Sequence, residues 1–171
     1  KTLSLVIIAI VCPLAGQNIA DSYKKRVSML EKAEAMITFF RDEINFRALP
    51  INELIYSLSQ KETFKQLVFI KECSELLSLE CDFPQAWSNA LEGYKNTAFL
   101  KKKDVELLKS FGENFGVTDS AGQLSNCNIY LDLLKVNYNE ALKEKERYSA
   151  LSTVIGFLAG LGILIVFILE K

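Results

Sequence analysis

The residues that could carry chemistry in this chain are paired carboxylates, thiols and clustered cations. Asp42 and Glu43 are neighbours. Two carboxylates can share acid–base work when their surroundings push their pKa values apart. Here Arg41 adjoins them within a helical pattern, which reads as an ordinary solvated helix face. The four cysteines, Cys12, Cys73, Cys81 and Cys127, show no CxxC spacing, and the chain has no histidine. A zinc site without histidine would need four thiolates or help from carboxylates. Reduced and mostly buried thiols are the simpler expectation. The absence of histidine also removes the commonest general base and every histidine-dependent triad. Lys101-Lys102-Lys103 could touch lipid or an acidic partner, or simply be solvated surface. Phe111-Gly112 and Phe115-Gly116 do not make a phosphate loop, because no strand precedes them and no Lys-Ser/Thr follows. No dinucleotide fingerprint or nucleophile elbow is present either. The expectation is a protein that is not an enzyme, with no cofactor, no metal and no small-molecule substrate.

The elements that must position these residues are helices. The chain has 171 residues, only three of them proline and eight glycine, and four of the glycines lie in or beside the apolar ends. A chain so poor in breakers reads as all-α. Twenty Lys and Arg against 21 Asp and Glu leave it nearly neutral. That balance offers no basic excess to attract nucleic-acid phosphates.

The hydrophobic excess sits at the two ends. Ala150–Leu169 carries no charge. Twenty residues at about 1.5 Å each cover about 30 Å, the thickness of a hydrocarbon core. Thr2–Ala20 is also uncharged, although Pro13, Gly16, Gln17 and Asn18 weaken its last third. It fits a cleaved signal peptide with small residues near Ala15 or Ala20, or a retained membrane helix. The retained helix is favoured, because an amphipathic pattern follows at once and cleavage would send unpaired cysteines outside the cell. A lipoprotein reading through Cys12 is poorer, since Val11 stands where a small residue is wanted. Lys24, Lys25 and Arg26 follow the first segment, and Lys143, Lys145 and Arg147 precede the second. Basic inner flanks place the region between them in the cytoplasm and the termini on the opposite side. The expected organisation is therefore a transmembrane helix at 2–20, a cytoplasmic helical bundle at 21–149 and a transmembrane helix at 150–169. Gly156 and Gly160 stand four apart, with Gly162 nearby, a spacing that lets two helix backbones approach closely.

Within the central region, Val27, Leu30, Ala33, Ile37, Phe40 and Ile44 recur at spacings of three and four, predicting one helix over about 21–49. Pro50 ends it or starts the next. Shorter helices are predicted over 51–60, 62–80 (with Phe64, Leu67, Val68, Phe69, Ile70, Leu76 and Leu77 in the core), 84–94 and 102–115. Gly116 reads as a C-terminal cap. The last helix should start near Thr118–Ser120, with Ser120 and Gln123 at capping-box spacing, and run unbroken into the final apolar segment. Each long helix would extend about 43–45 Å beyond the membrane. Packed antiparallel, they would bring the Pro50 turn and the Gly116–Asp119 turn together at a tip.

The stretch from Leu107 and Leu108 through Phe111-Gly112 and Phe115-Gly116 to Asp119 and Gln123 resembles the signature of the stage III sporulation protein AB family of endospore-forming bacteria. So do Arg41-Asp42-Glu43-Ile44 followed by Leu49-Pro50-Ile51, and Ile155-Gly156-Phe157-Leu158-Ala159-Gly160-Leu161. The resemblance covers essentially the whole chain. It implies a mother-cell membrane protein facing the forespore, part of a secretion-like channel complex built with the other stage III AA–AH proteins. It also implies kinship with the F-type platform of type II secretion, coupled to the AA secretion-type ATPase, although this chain has one cytoplasmic domain where full F-type proteins have two. The signature residues Glu43, Pro50, Phe111, Gly112, Gly116, Asp119 and Gln123 are then candidate partner-binding residues at the tip, and equally candidates for capping and packing. Gly156 and Gly160 are candidates for membrane-helix packing, with the first segment, a second copy or another protein. The competing expectation is a membrane signalling or scaffold protein working through helix–helix contacts without an ATPase.

Overall fold

The computed structural model describes residues 2–47, 49–94, 99–115 and 119–169. The helices are α1 (Thr2–Phe46), α2 (Ile51–Gln60), α3 (Val68–Ser78), α4 (Phe83–Tyr94), α5 (Lys102–Asn114) and α6 (Ser120–Leu169), with a 3-10 turn at Glu62–Phe64. Among the described residues there is no strand, as the scarcity of breakers predicts. The chain divides into one unit of Ser28–Asn139 and another of Lys1–Val27 with Glu140–Lys171.

The Ser28–Asn139 unit is organised by the apolar stripe of α1. Leu30, Ala33, Met36, Ile37 and Phe40 are fully buried. Phe40 meets Trp87 of α4, Phe111 of α5 and Phe115 edge-on, with ring centroids 6.0, 5.3 and 4.9 Å apart. This edge-to-face arrangement sets the positive ring edge against the negative ring face. Trp87 sits at the centre with no exposed surface. Its indole N–H donates to the Leu108 carbonyl at 2.7 Å, which satisfies the one polar group that burial would otherwise strand. Along α6, Cys127, Tyr130 and Leu134 are the buried face. Tyr138 donates to Glu31 at 2.9 Å, and Arg41 is near enough to act on the Cys127 thiol. As α1 advances α6 recedes, so these segments run antiparallel.

The junctions show why helices stop where they do. Pro50 flanks α2 in an extended conformation, φ −55° and ψ 144°, the geometry its ring prefers just before a helix. The helix expected over 62–80 is broken: a 3-10 turn ends at Phe64, and α3 starts at Val68. The break lets Phe64 turn back onto Phe39 of α1, centroids 6.3 Å apart, while α3 buries Phe69, Ile70, Cys73 and Leu77. In consequence Val68, expected in the core, is 57% exposed. Helix α3 ends in a Schellman turn, with Cys81 N–H on the Leu76 carbonyl (3.4 Å) and Glu80 N–H on that of Leu77 (3.2 Å). Glu80 occupies the left-handed position at φ 61°, where glycine is usual. In the first turn of α5, Asp104 is fully buried and accepts from the Lys101 backbone N–H at 2.9 Å. The cap of α6 is Asp119, whose carboxylate accepts from Gly122 N–H at 2.9 Å. The expected Ser120–Gln123 box is thus displaced by one residue: Ser120 is already helical.

In the other unit, the α1 and α6 segments are joined by polar contacts. Tyr23 stacks on Tyr148, centroids 4.2 Å apart and planes at 8°. Arg26, 3% exposed, pairs with Glu144 at 2.7 Å. A charge-assisted bond of this length offsets the desolvation of the guanidinium. The segments expected to cross a membrane, 2–20 and 150–169, form the outer parts of α1 and α6. Most of their side chains lie outside the described residues. Among the described residues, no helix is long and apolar enough to cross a membrane.

Candidate docking groove at the helix junctions

Helix ends converge within the Ser28–Asn139 unit. The last turn of α1 contributes Ile44, and the connection into α2 contributes Leu49, Ile51 and Leu54. The start of α4 contributes Phe83 and Pro84, the end of α5 Phe115, and the first turn of α6 Gln123. Together they line a groove of about 320 Å³. It is apolar apart from Gln123. Grooves of this composition suit an inserted apolar side chain better than a charged substrate. Leu49 and Ile51, on either side of Pro50, therefore share the groove with Phe115 and Gln123.

The candidate partner-binding residues separate by environment. Gln123 lines the groove, and Pro50, exposed, stands between the lining residues Leu49 and Ile51. Asp119 is exposed four residues before Gln123, with one carboxylate oxygen engaged as the α6 cap. Glu43 is mostly covered, 14% exposed, and faces Arg47 at 3.7 Å. Its Oε2 is buried without a hydrogen bond, as is Asn126 Nδ2 on α6. Phe111 and Gly112 are buried in the aromatic core. A Cβ on Gly112 would overlap the Trp87 ring and lie 2.5 Å from its Nε1, so the glycine permits the close approach of α5 to α4. These two residues present no surface to a partner. Gly116 lies outside the described residues. Gly156 and Gly160 belong to α6, but their surroundings also lie outside the described residues; at Gly162 a Cβ would meet open space.

The sequence reading missed Phe83, Pro84 and Phe115 as groove residues. Their only sequence signal is an apolar residue at a helix boundary, which core packing produces as readily. The charges around the groove are uneven. Arg41 lies against Asp42 (3.3 Å) and Arg47 against Glu43 (3.7 Å). Glu53 and Asp82 adjoin lining residues in sequence and are exposed, as is Asp119, and none of the three has an ion pair among the described residues. The two buried thiols are quiet: burial pushes Cys73 up to about 12 and Cys127 up to about 11, leaving little thiolate at neutral pH.

Comparison with known proteins agrees with the signature residues. A protein named stage III sporulation protein AB from Bacillus subtilis (strain 168) is 25% identical over 162 residues, 94% of this chain and 95% of that one. A solved structure of a stage III sporulation protein AB superposes with a TM-score of 0.59 at 23% identity, covering 72% of this chain and 98% of that chain. At that identity the likeness speaks for the fold. The family model described as stage III sporulation protein AB matches residues 1–168, and the chain belongs to that family.

Proposed function

We propose that this protein is a non-enzymatic, membrane-anchored platform in a sporulation channel complex, and that its helical unit docks the cytoplasmic secretion-type ATPase. The observation that carries the reading is the apolar groove in which Leu49 and Ile51, the neighbours of Pro50, share a lining with Phe115 and Gln123. Family membership supports the sporulation role. The apolar ends, with Lys24, Lys25 and Arg26 after the first and Lys143, Lys145 and Arg147 before the second, support anchoring of both ends with the central unit in the mother-cell cytoplasm.

Asp119 tests the docking. Asparagine caps a helix about as well as aspartate, so Asp119→Asn removes charge and keeps the fold. The expected result is weaker co-purification of the ATPase with an unchanged melting temperature. Full co-purification would remove Asp119 from the interface. Anchoring is tested separately, with a single cysteine at Glu53 in a cysteine-free chain. A membrane-impermeant maleimide should label it only after permeabilisation, and labelling in intact cells would reverse the topology.

A second reading, a scaffold assembled by helix–helix contact without an ATPase, is favoured by one observation. Ile129, Leu133 and Val136 of α6 are 55%, 45% and 64% exposed at spacings of four and three. Such a stripe matches one face of a helix pair. Leu133→Asp should lower the oligomeric state if that reading is right, and leave it unchanged if the ATPase platform suffices.

A further inference from the structure

We propose that Arg26, Glu144, Tyr23 and Tyr148 form a clasp that fixes the register of α1 against α6, so that the segments just inside the apolar ends meet in one alignment only. All four residues belong to the unit of Lys1–Val27 and Glu140–Lys171. They stand immediately inside the uncharged stretches that end at Ala20 and begin at Ala150.

Long helices packed through aliphatic side chains can slide, because hydrophobic contact is non-directional and the next turn offers similar area. The contact between α1 and α6 in this unit is of another kind. Arg26, 3% exposed, reaches Glu144 at 2.7 Å. Three residues nearer the N-terminus, Tyr23 lies flat on Tyr148, with centroids 4.2 Å apart and planes at 8°. Both contacts are directional, and they tie the same two helices at two levels. Sliding α6 by one turn, about 5.4 Å, breaks both. In one direction Arg26 meets Tyr148 and leaves its carboxylate behind. In the other Arg26 meets Glu140, but Tyr23 then faces Glu144 and the rings part. No alignment displaced by a turn makes the ion pair and the stack together. Burial of the guanidinium sharpens the choice. Exchanging a buried pair for apolar groups is often neutral in stability, whereas separating its charges is costly. A buried pair therefore specifies alignment more than it adds stability. Helices at interfaces move by shifts of up to one turn past each other. The clasp closes that route to α1 and α6.

The test reads alignment directly, in the full-length chain with its four native cysteines replaced. Val27 and Ala141 are both buried, and they stand one residue after Arg26 and three before Glu144. Val27→Cys/Ala141→Cys is the aligned pair, and Val27→Cys/Lys145→Cys is displaced by about one turn. Under mild oxidation the aligned pair should form an intramolecular disulfide at least about tenfold faster. Arg26→Met/Glu144→Leu should shrink that preference at least about threefold, and adding Tyr23→Leu should abolish it, with the melting temperature held or raised. The reversed pair, Arg26→Glu/Glu144→Arg, should keep the preference, because a slip would then bring two carboxylates together at Glu140. Four results would each overturn the clasp. They are a preference that survives the triple substitution, a melting temperature that falls while the preference stays, a reversed pair that folds but loses the preference, and a disulfide that joins two copies of the chain.

Discussion

Substituting Gly112 by alanine should destabilise the helical unit, although alanine is the better helix former. Taken alone, the propensity term favours alanine by about 1 kcal/mol. The packing term opposes it. The new methyl would overlap Cδ1 and Cγ of Trp87 and lie 2.5 Å from Nε1. Trp87 cannot move aside, because it is fully buried between Phe40, Phe69, Phe83 and Phe111. Overpacking of this kind costs about 1–3 kcal/mol. Displacing the indole also breaks its 2.7 Å bond to the Leu108 carbonyl, and stranding that buried pair costs about another 1–3 kcal/mol. The net expectation is a loss of about 1–5 kcal/mol, with the midpoint near 3. For a chain of this size that lowers the melting temperature by roughly 6–12 °C. Trp87 is the single tryptophan, so its fluorescence reports the affected site during denaturant unfolding. A variant as stable as the parent, or more stable by the propensity term, with unshifted emission would refute the close approach of α5 to α4.

The remaining expectations concern local chemistry. Glu80→Gly should stabilise the protein by about 0.5–1 kcal/mol in the same unfolding assay, because glycine adopts φ 61° without the side-chain clash. In a Cys12→Ser background, a thiol reagent at pH 8 should label partly exposed Cys81 first and reach Cys73 and Cys127 only on unfolding, since burial raises both of the latter. Equal labelling of all three in the native protein would contradict the described core. The hydrogen bond with Tyr148, with burial second, pushes Tyr23 up to about 12. The folded chain then holds the phenolic proton more tightly than the unfolded chain, whose tyrosine titrates near about 10. That contribution to stability is complete below pH about 10 and is lost as pH rises through about 12. Tyr138 is raised too, by its hydrogen bond to Glu31, so ultraviolet titration should show late tyrosines of which Tyr23 moves earlier in Tyr148→Phe.

Periodicity settled much of this protein before any coordinates. The recurrence of Leu30, Ala33, Ile37 and Phe40 on α1, and of Cys127 and Leu134 on α6, marks a buried face because helical geometry returns a side chain to the same side every three or four residues. These residues are the core. Pro50, with its fixed φ and missing donor, announced the α1–α2 junction in the same local way. The signature around Phe111, Gly116, Asp119 and Gln123 was likewise legible as a family trait.

Tertiary structure decided what periodicity could not. The break before Val68 arises because Phe64 turns back to reach Phe39 across the fold, a demand invisible in local propensity. Asp119 rather than Ser120 became the cap because the first turn of α6 begins at Ser120, and boundaries shift by a residue with the angle of chain entry. Phe111 and Gly112 belong to the core because Trp87, far away in sequence, occupies the space against them. The groove needed residues from the ends of α1, α2, α4, α5 and α6 at once. All but α6, which supplies Gln123, contribute one or two apolar side chains whose sequence pattern matches core packing. Only the convergence of the helix ends separates a lining residue from a buried one.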